Sequence, residues 1–496
     1  MELWRTTAIS LAAVLAALFA IALLAESARE GPAAVPAPRV EIEGGGLYPR
    51  FRPERHHYVA RCGPGAPRLR VDAGDGTRVR IGSGRARSGS FAAATAARPG
   101  EDFELGVDQD GQAWVYQVRC VPRDFPAWSF ERLRPGPRGM FTVAFRSPKL
   151  SRPWIVVFDG SGTPLWWHSP ARPALWAQVF DDGNLAWPRS FGDGYGRDPR
   201  MALEIRSPTG DLLELVRTRG SITDGHEYEL LPGGDRLLVT YAPSSGIDLS
   251  RFGGPSETSV VFAEIQQVDP EGRVVWRWNS RRHIALAETG RWWYYVLSNP
   301  HPGPGGADTY DAVHINSIDR WGRDRLIVTA RHTDAVFAID RTTGRILWKL
   351  GGTPTPRSLR FVGGSYPAHR LFGGAHDARI DGQGRLSIFD NATHRPRPPR
   401  VFRYDLDLRR RTATLVDTLT DPEVRRSHCC GSARPLDGGW IVSWGDNPLV
   451  SGFDAAGRLA FRLRLPAPSF RAVPVPAGAA SAASLDRALE RIEPGR

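Results

Sequence analysis

One phrase recurs along the chain and limits what it can fold into. Its copies are VVFDGSGTPLWWHS, LEIRSPTGDLLELV, IQQVDPEGRVVWRW, VFAIDRTTGRILWKL, VFRYDLDLRRRTATL and VSGFDAAGRLAFRL. Each has an apolar run, an Asp or Ser at a turn, usually a Gly, and a second apolar run that often carries Trp. That pattern predicts a β-hairpin with a short turn. Between the copies lies a companion hairpin, seen in VFDDGNLAWP, LLPGGDRLLVTYA, SIDRWGRDRLIVTAR, ARIDGQGRLSIFDN and PLDGGWIVSWGD. Two hairpins make four strands per unit, repeating at roughly 50 to 70 residues, the signature of a β-propeller. A parallel β-helix would need shorter repeats, and a single large sandwich would not repeat. The expectation is an all-β chain with a six-bladed β-propeller over 126–468.

The two ends read differently. Residues 8–25, AISLAAVLAALFAIALLA, carry no charge, and Arg5 stands before them. This length falls between a secretory signal core and a full span, so residues 1–28 read as a signal peptide or a membrane anchor, an N-terminal hydrophobic helix. Either way the rest is delivered outside the cytoplasm. Residues 29–44 read as a linker and 469–496 as a Pro/Ala-rich tail ending in a short helix. Export gives the four cysteines meaning. Cys62 and Cys120 bracket alternating apolar residues and Gly/Asp turns, which predicts a small β-sandwich over 45–125 closed by a disulfide. Cys429 and Cys430 are adjacent and form either a vicinal disulfide or two thiols. Neither pair has metal-ligand spacing.

Composition adds little. The net charge is +12, and Lys149 and Lys349 are the chain's only lysines. No arginine run is interleaved with aromatics in the manner of a nucleic-acid module, so nucleic acid is set aside. Two long stretches rich in Gly, Pro and aromatics, 281–311 and 352–374, are expected to lie over one face near the channel mouth.

Aligning the companion hairpins brings out the candidate site. Just before their first strands stand DGHEYELLPGG (His226), DAVHINSIDRWG (His314) and GGAHDARIDGQG (His376). His428, in SHCCGSARPLDGG, is near this register. The innermost strand of each propeller blade lines the channel, so equivalent positions point at one small volume. Three imidazoles suit Zn²⁺ or Cu²⁺. However, Asn316 follows His314 by two on the same expected strand face, and Arg331 ends the paired strand as an inward cation. A cation there disfavours a metal and favours an oxyanion.

DAVHINSIDRWGRDRLIVTARHTDAVFAIDRTTGRILWKLGG and GGAHDARIDGQGRLSIFDN closely resemble the arylsulfotransferase (arylsulfate sulfotransferase) family of six-bladed propellers. The resemblance covers roughly 130–470, and the N-terminal segment with YQVRCVPRDFP is similar to the front end of actinobacterial-type members. It implies a nucleotide-independent transfer of a sulfuryl group from an aryl sulfate donor to a phenolic or other hydroxyl acceptor, with no cofactor or metal. The carrier it implies is a covalent sulfohistidine at His376, with His314, Asn316, Arg331 and His226 holding the sulfuryl oxygens. Ping-pong kinetics would follow. The small hydroxyl residues of the family's last blade are replaced here by SHCCGSARP, which makes His428 a candidate acid–base group.

Two other readings stand beside this one. AIDRTTGRILW is also similar to the tryptophan-docking repeat of propellers that bind pyrroloquinoline quinone, though those need eight blades and a Ca²⁺ site. A non-catalytic propeller could serve as an envelope interaction platform or bind sulfated ligands. Among single residues, Trp166, Trp276 and Trp348 read as core between blades, and His394 as surface. Asp377 is expected to orient the His376 ring or to cap a turn, and the Asn391 sequon carries no expected role.

Overall fold

The computed structural model describes residues 38–43, 46–62, 67–190, 198–302, 307–363 and 370–492. The apolar stretch 8–25, read above as signal or anchor, lies outside the described residues. Among the described residues no helix is long and apolar enough to cross a membrane. The chain is all-β and divides into two compact units between Arg123 and Asp124.

In the first unit, strands Arg39–Ile42, Arg68–Ala73 and Gly89–Ala94 form one sheet. Leu47–Tyr48, His57–Ala60, Gln112–Cys120, Asp102–Gln109 and Thr77–Ile81 form the other. Strict alternation in Arg68–Ala73 turns Leu69, Val71 and Ala73 inward and its arginines outward. They meet Val79, Leu105 and Val118 in one core, which also contains the Cys62–Cys120 disulfide. The strand Arg39–Ile42 falls within the stretch expected to be linker; its Val40 and Ile42 have core to reach.

In the second unit six sheets follow one another along the chain, mostly antiparallel, with a parallel pair added in the third and the fifth. Their first-named strands are Phe141–Phe145, Gln178–Val179, Thr223–Leu230, Ile315–Arg320, Ala375–Ile380 and Ser432–Leu436. In the first sheet the innermost place beside Phe141–Phe145 is taken by Ser469–Pro474, from the stretch expected to be tail. The two ends of this unit thus share one ladder. Strand Ser129–Arg132 is the outer edge of the sixth sheet, beside Leu459–Arg464.

The repeated phrase has a local cause. At the hairpin turns Asp159, Asp269, Asp381 and Asp454 accept backbone N–H groups from the residues that follow. The glycines three residues on, Gly162, Gly272, Gly384 and Gly457, adopt φ of 74 to 81°, which costs only glycine nothing. Apolar cores lie between consecutive sheets: Ile327, Trp348 and Leu350 of the fourth pack with Ala375, Ile388 and Tyr404 of the fifth. Trp166 and Trp276 donate their indole N–H to Pro208 O (3.0 Å) and Arg341 O (2.8 Å), each on the turn of the next sheet.

Candidate functional site

The three register-matched histidines sit at the same irregularity in three sheets. The pairing register of the innermost strand shifts between Thr223 and Tyr228, between Ile315 and Ser317, and between His376 and Arg379. A bulge at this place re-aims the side chain beside it. His314 and Asp377 adopt φ of 57° and 47° there. His226, His314 and His376 are all buried. The His226 and His314 rings meet edge to face at 4.8 Å. Phe470, from the closing strand of the first sheet, presents a ring edge-on to both His226 (5.6 Å) and His376 (6.2 Å).

Hydrogen bonds set the tautomers. His376 Nδ1 faces the carbonyl of Gly374 at 2.9 Å. A carbonyl only accepts, so Nδ1 carries the proton and Nε2 keeps its lone pair. That lone pair accepts the backbone N–H of Cys430 at 3.2 Å. His314 Nδ1 lies 2.5 Å from Asp311 Oδ2, and His226 Nδ1 lies 2.6 Å from Asp224 Oδ1. Each acidic group orients its ring through Nδ1. Burial pushes Asp224 and Asp311 above the usual carboxylate range. Burial, then the charges of Arg331 and the neighbouring histidines, holds His376 well below the usual histidine range, so it is neutral at pH 7.

Arg331 is the feature that gives the cluster its chemistry. The strand Arg325–Ala330 ends one residue before it, and it opens a short 3-10 turn. It is 6% exposed, and its guanidinium lies over Trp292 (4.6 Å) and Tyr295 (5.5 Å). Nη1 donates to His332 Nε2 (2.8 Å), Nη2 donates to the His428 carbonyl (3.0 Å), and among the described residues the buried Nε has no partner. Among the described residues no carboxylate pairs with it. A buried cation lacking a counter-ion is costly, and an oxyanion would relieve that cost. Trp292 and Tyr295 come from the long stretch expected near the channel mouth. Asp334 ties that stretch down, accepting from Arg291 Nε (2.6 Å), Trp292 Nε1 (2.8 Å) and the Gly374 N–H (2.8 Å).

The other site residues divide. Asn316, two residues after His314, donates Nδ2 to Ala375 O of the next sheet (2.9 Å), just before His376, and among the described residues its buried Oδ1 has no partner. The bulge between Ile315 and Ser317 breaks the strict alternation of this strand. The His428 side chain is exposed, and its carbonyl reaches Arg331. Asp377 neither orients the His376 ring nor caps a turn. Its carboxylate accepts from Arg379 (2.6 Å) and Arg434 (2.9 Å), because the bulge turns it into a buried ionic layer one residue beyond the histidines. Glu227, one residue after His226, joins that layer through Arg379 (2.6 Å) and Arg471 (2.8 Å).

His332 and Asn391 were missed from sequence. His332 directly follows Arg331, and its ring lies 4.7 Å from that of His314. Asn391 Nδ2 donates to Gly374 O (2.9 Å) and Cys430 O (3.0 Å). It ends the hairpin that His376 begins, the one signal that pointed to it. Asp311, His314 and His332 place ligand atoms within 4.8 Å of one another, the spacing of a cation site. The residues fit a metal poorly: His332 Nε2 already receives the Arg331 guanidinium, and a second cation beside it is repelled.

Among solved structures, the chain is similar to a protein of unknown function from Bacteroides caccae, at 11% identity over 68% of this chain and 99% of that one, with TM-score 0.40. It is also similar to a putative 6-phosphogluconolactonase from Bacteroides fragilis, at 13% identity over 70% and 100%, with TM-score 0.37. A third similarity is to the β-propeller domain of Cps50 (Swd1) from Myceliophteria thermophila, at 12% identity over 69% and 90%, with TM-score 0.36. No curated protein matches in sequence. The family profile "Arylsulfotransferase (ASST)" matches residues 209–465, more than half of the chain and the part that carries every histidine of the cluster. The chain belongs to the arylsulfotransferase family.

Proposed function

We propose that the six sheets are the blades of one propeller and that their shared centre moves a sulfuryl group from an aryl sulfate ester to a hydroxyl acceptor through sulfohistidine at His376. The observation that carries this reading is Arg331, a buried cation with no carboxylate in ion-pair distance among the described residues, near a neutral histidine. In the first step Nε2 of His376 attacks sulfur. The N–S bond forms, the sulfur–aryl oxygen bond breaks, and the phenolate leaves. In the second step the acceptor oxygen attacks sulfur, the N–S electron pair returns to Nε2, and the hydroxyl proton passes to solvent or a nearby base. Gly374 O keeps the Nδ1 proton throughout, so the imidazole remains a good leaving group.

Like phosphoryl transfer, this reaction passes through a loose transition state with charge on peripheral oxygens. Arg331 meets that charge directly. His226 and His314 meet it as Nε2–H donors in the tautomer whose Nδ1 accepts the proton of the buried Asp224 or Asp311 carboxyl group. The cysteine pairs and the apolar stretch 8–25 support an exported enzyme.

The experiment is mass spectrometry of the full chain mixed with 4-nitrophenyl sulfate, beside His376→Ala, with 4-nitrophenol followed by absorbance. One added sulfuryl group on the His376 peptide, absent in the variant, is expected, together with a fall in turnover of at least about 10³-fold. Folded protein that neither gains the adduct nor releases phenol under these conditions would overturn the transfer reading and leave an anion-binding site.

A further inference from the structure

The Cys429–Cys430 pair is the sequence feature that the histidine chemistry leaves unused. The two cysteines are bonded to each other. The segment around them is tied to the site on every side. The His428 carbonyl accepts from Arg331 Nη2 and Thr393 Oγ1, both at 3.0 Å. The Cys430 carbonyl accepts from Asn391 Nδ2, and the Gly431 N–H donates to Phe470 O at 3.0 Å. Within this frame Cys430 stands at φ 71° and turns its N–H onto Nε2 of His376, 54 residues away in sequence. The proposed nucleophile's lone pair is therefore engaged by the peptide that the disulfide spans.

We infer that the Cys429–Cys430 bridge is a positioning element for His376, holding the Cys430 amide against Nε2. A bond between neighbouring cysteines closes a small ring that contains the peptide between them, and the donor is that peptide's N–H. While the ring is closed, the N–H guards the lone pair at rest. Once Nε2 has bonded to sulfur, the same N–H faces the oxygens of the attached group as a fixed donor. Opening the ring lets the peptide turn. The lone pair is then freer, and the transition state loses a donor. A phosphine opens it by giving an electron pair to the disulfide: the phosphine becomes its oxide, and water supplies the oxygen and the two thiol protons.

The test measures two rates on the full chain with the bridge closed and open. The open forms are Cys429→Ser/Cys430→Ser and phosphine-treated wild type, with bridge status and retention of Cys62–Cys120 mapped by peptide mass spectrometry. The first rate is acylation of His376 by diethyl pyrocarbonate, in which the imidazole nitrogen forms an N–C bond and ethyl carbonate leaves, decomposing to ethanol and carbon dioxide. It reads the lone pair without any sulfur chemistry. The second rate is transfer from 4-nitrophenyl sulfate, and this readout alone rests on the sulfuryl-transfer reading. Opening the bridge is expected to raise His376 acylation about three- to tenfold, the worth of one hydrogen bond. It should lower transfer about tenfold or more, with acylation of His168 unchanged and both rates restored on reoxidation. Opposite signs distinguish positioning from a general loosening. Equal or slower acylation of His376 in the open forms would overturn the proposal, and so would a measurable transfer rate that stays constant or rises. If transfer is undetectable in every form, the sulfotransfer reading fails, while the acylation ratio still decides the role of the bridge.

Discussion

His226 and Glu227 are neighbours, as are His376 and Asp377, yet each pair belongs to two layers with opposite electrostatics. In the carboxylate layer Glu227 and Asp377 are buried with Arg379, Arg434 and Arg471 around them, and every member has an opposite charge within ion-pair distance. In the histidine layer Arg331 leans on two aromatic rings and a carbonyl, and no carboxylate among the described residues lies within ion-pair distance of it. Buried charge that is fully paired holds sheets together, whereas buried charge left unpaired is paid for only if something binds there. The single-residue step between the layers comes from the bulges, which give adjacent side chains separate environments.

The comparison breaks most visibly at Asp377. Asp377→Asn removes a carboxylate shared by Arg379 and Arg434 and should cost about 3–5 kcal/mol of stability, read as a lowered denaturant midpoint. Arg331→Met should do the reverse. Transfer from 4-nitrophenyl sulfate should fall about 10²–10³-fold, while the thermal midpoint is unchanged or raised because an uncompensated cation is gone. Equal destabilisation by the two variants would mean that the layers do not differ in kind.

Acid separates the layers next. His376 in the fold lies well below its ordinary value through burial and Arg331. The unfolded chain therefore binds a proton as pH falls below about 6.5 and the native state does not. The stability that this group contributes is complete above that pH and is lost below it, by up to about 1.4 kcal/mol per pH unit. In His376→Asn that slope should be missing between pH 6.5 and 5. Asp377 is held far below the carboxylate range by Arg379 and Arg434 against its burial, so its contribution persists until pH drops below about 4. Urea unfolding at several pH values checks both windows. The smallest effect is expected at His428: its side chain is exposed and its carbonyl does the contacting, so His428→Ala should change turnover by less than about threefold.

How far the sequence could be read depended on distance along the chain. The hairpins were legible because an Asp, a Gly at positive φ and two apolar runs act within a few residues. His226, His314 and His376 were legible because the repeat puts them at one register. The bulge at Asn316 was not legible, because one extra residue leaves no trace in an alternating pattern. Asp377 was misassigned because its partner Arg434 lies 57 residues away, in another sheet. Asn391 carried no expected role because the carbonyls its amide meets, Cys430 O and Gly374 O, are brought to it only by the fold.

By itself the sequence determined the repeat, the all-β character, the register of three histidines and the cation at Arg331. These depend on local periodicity, which survives in one dimension. Only the tertiary structure decided that, among the described residues, Arg331 has no carboxylate within ion-pair distance while Glu227 and Asp377 have several arginines. It alone brought His332 and Phe470 to the cluster and laid the Cys430 N–H on His376 Nε2. Charge compensation and hydrogen-bond satisfaction are sums over neighbours in space, and here those neighbours arrive from separate sheets.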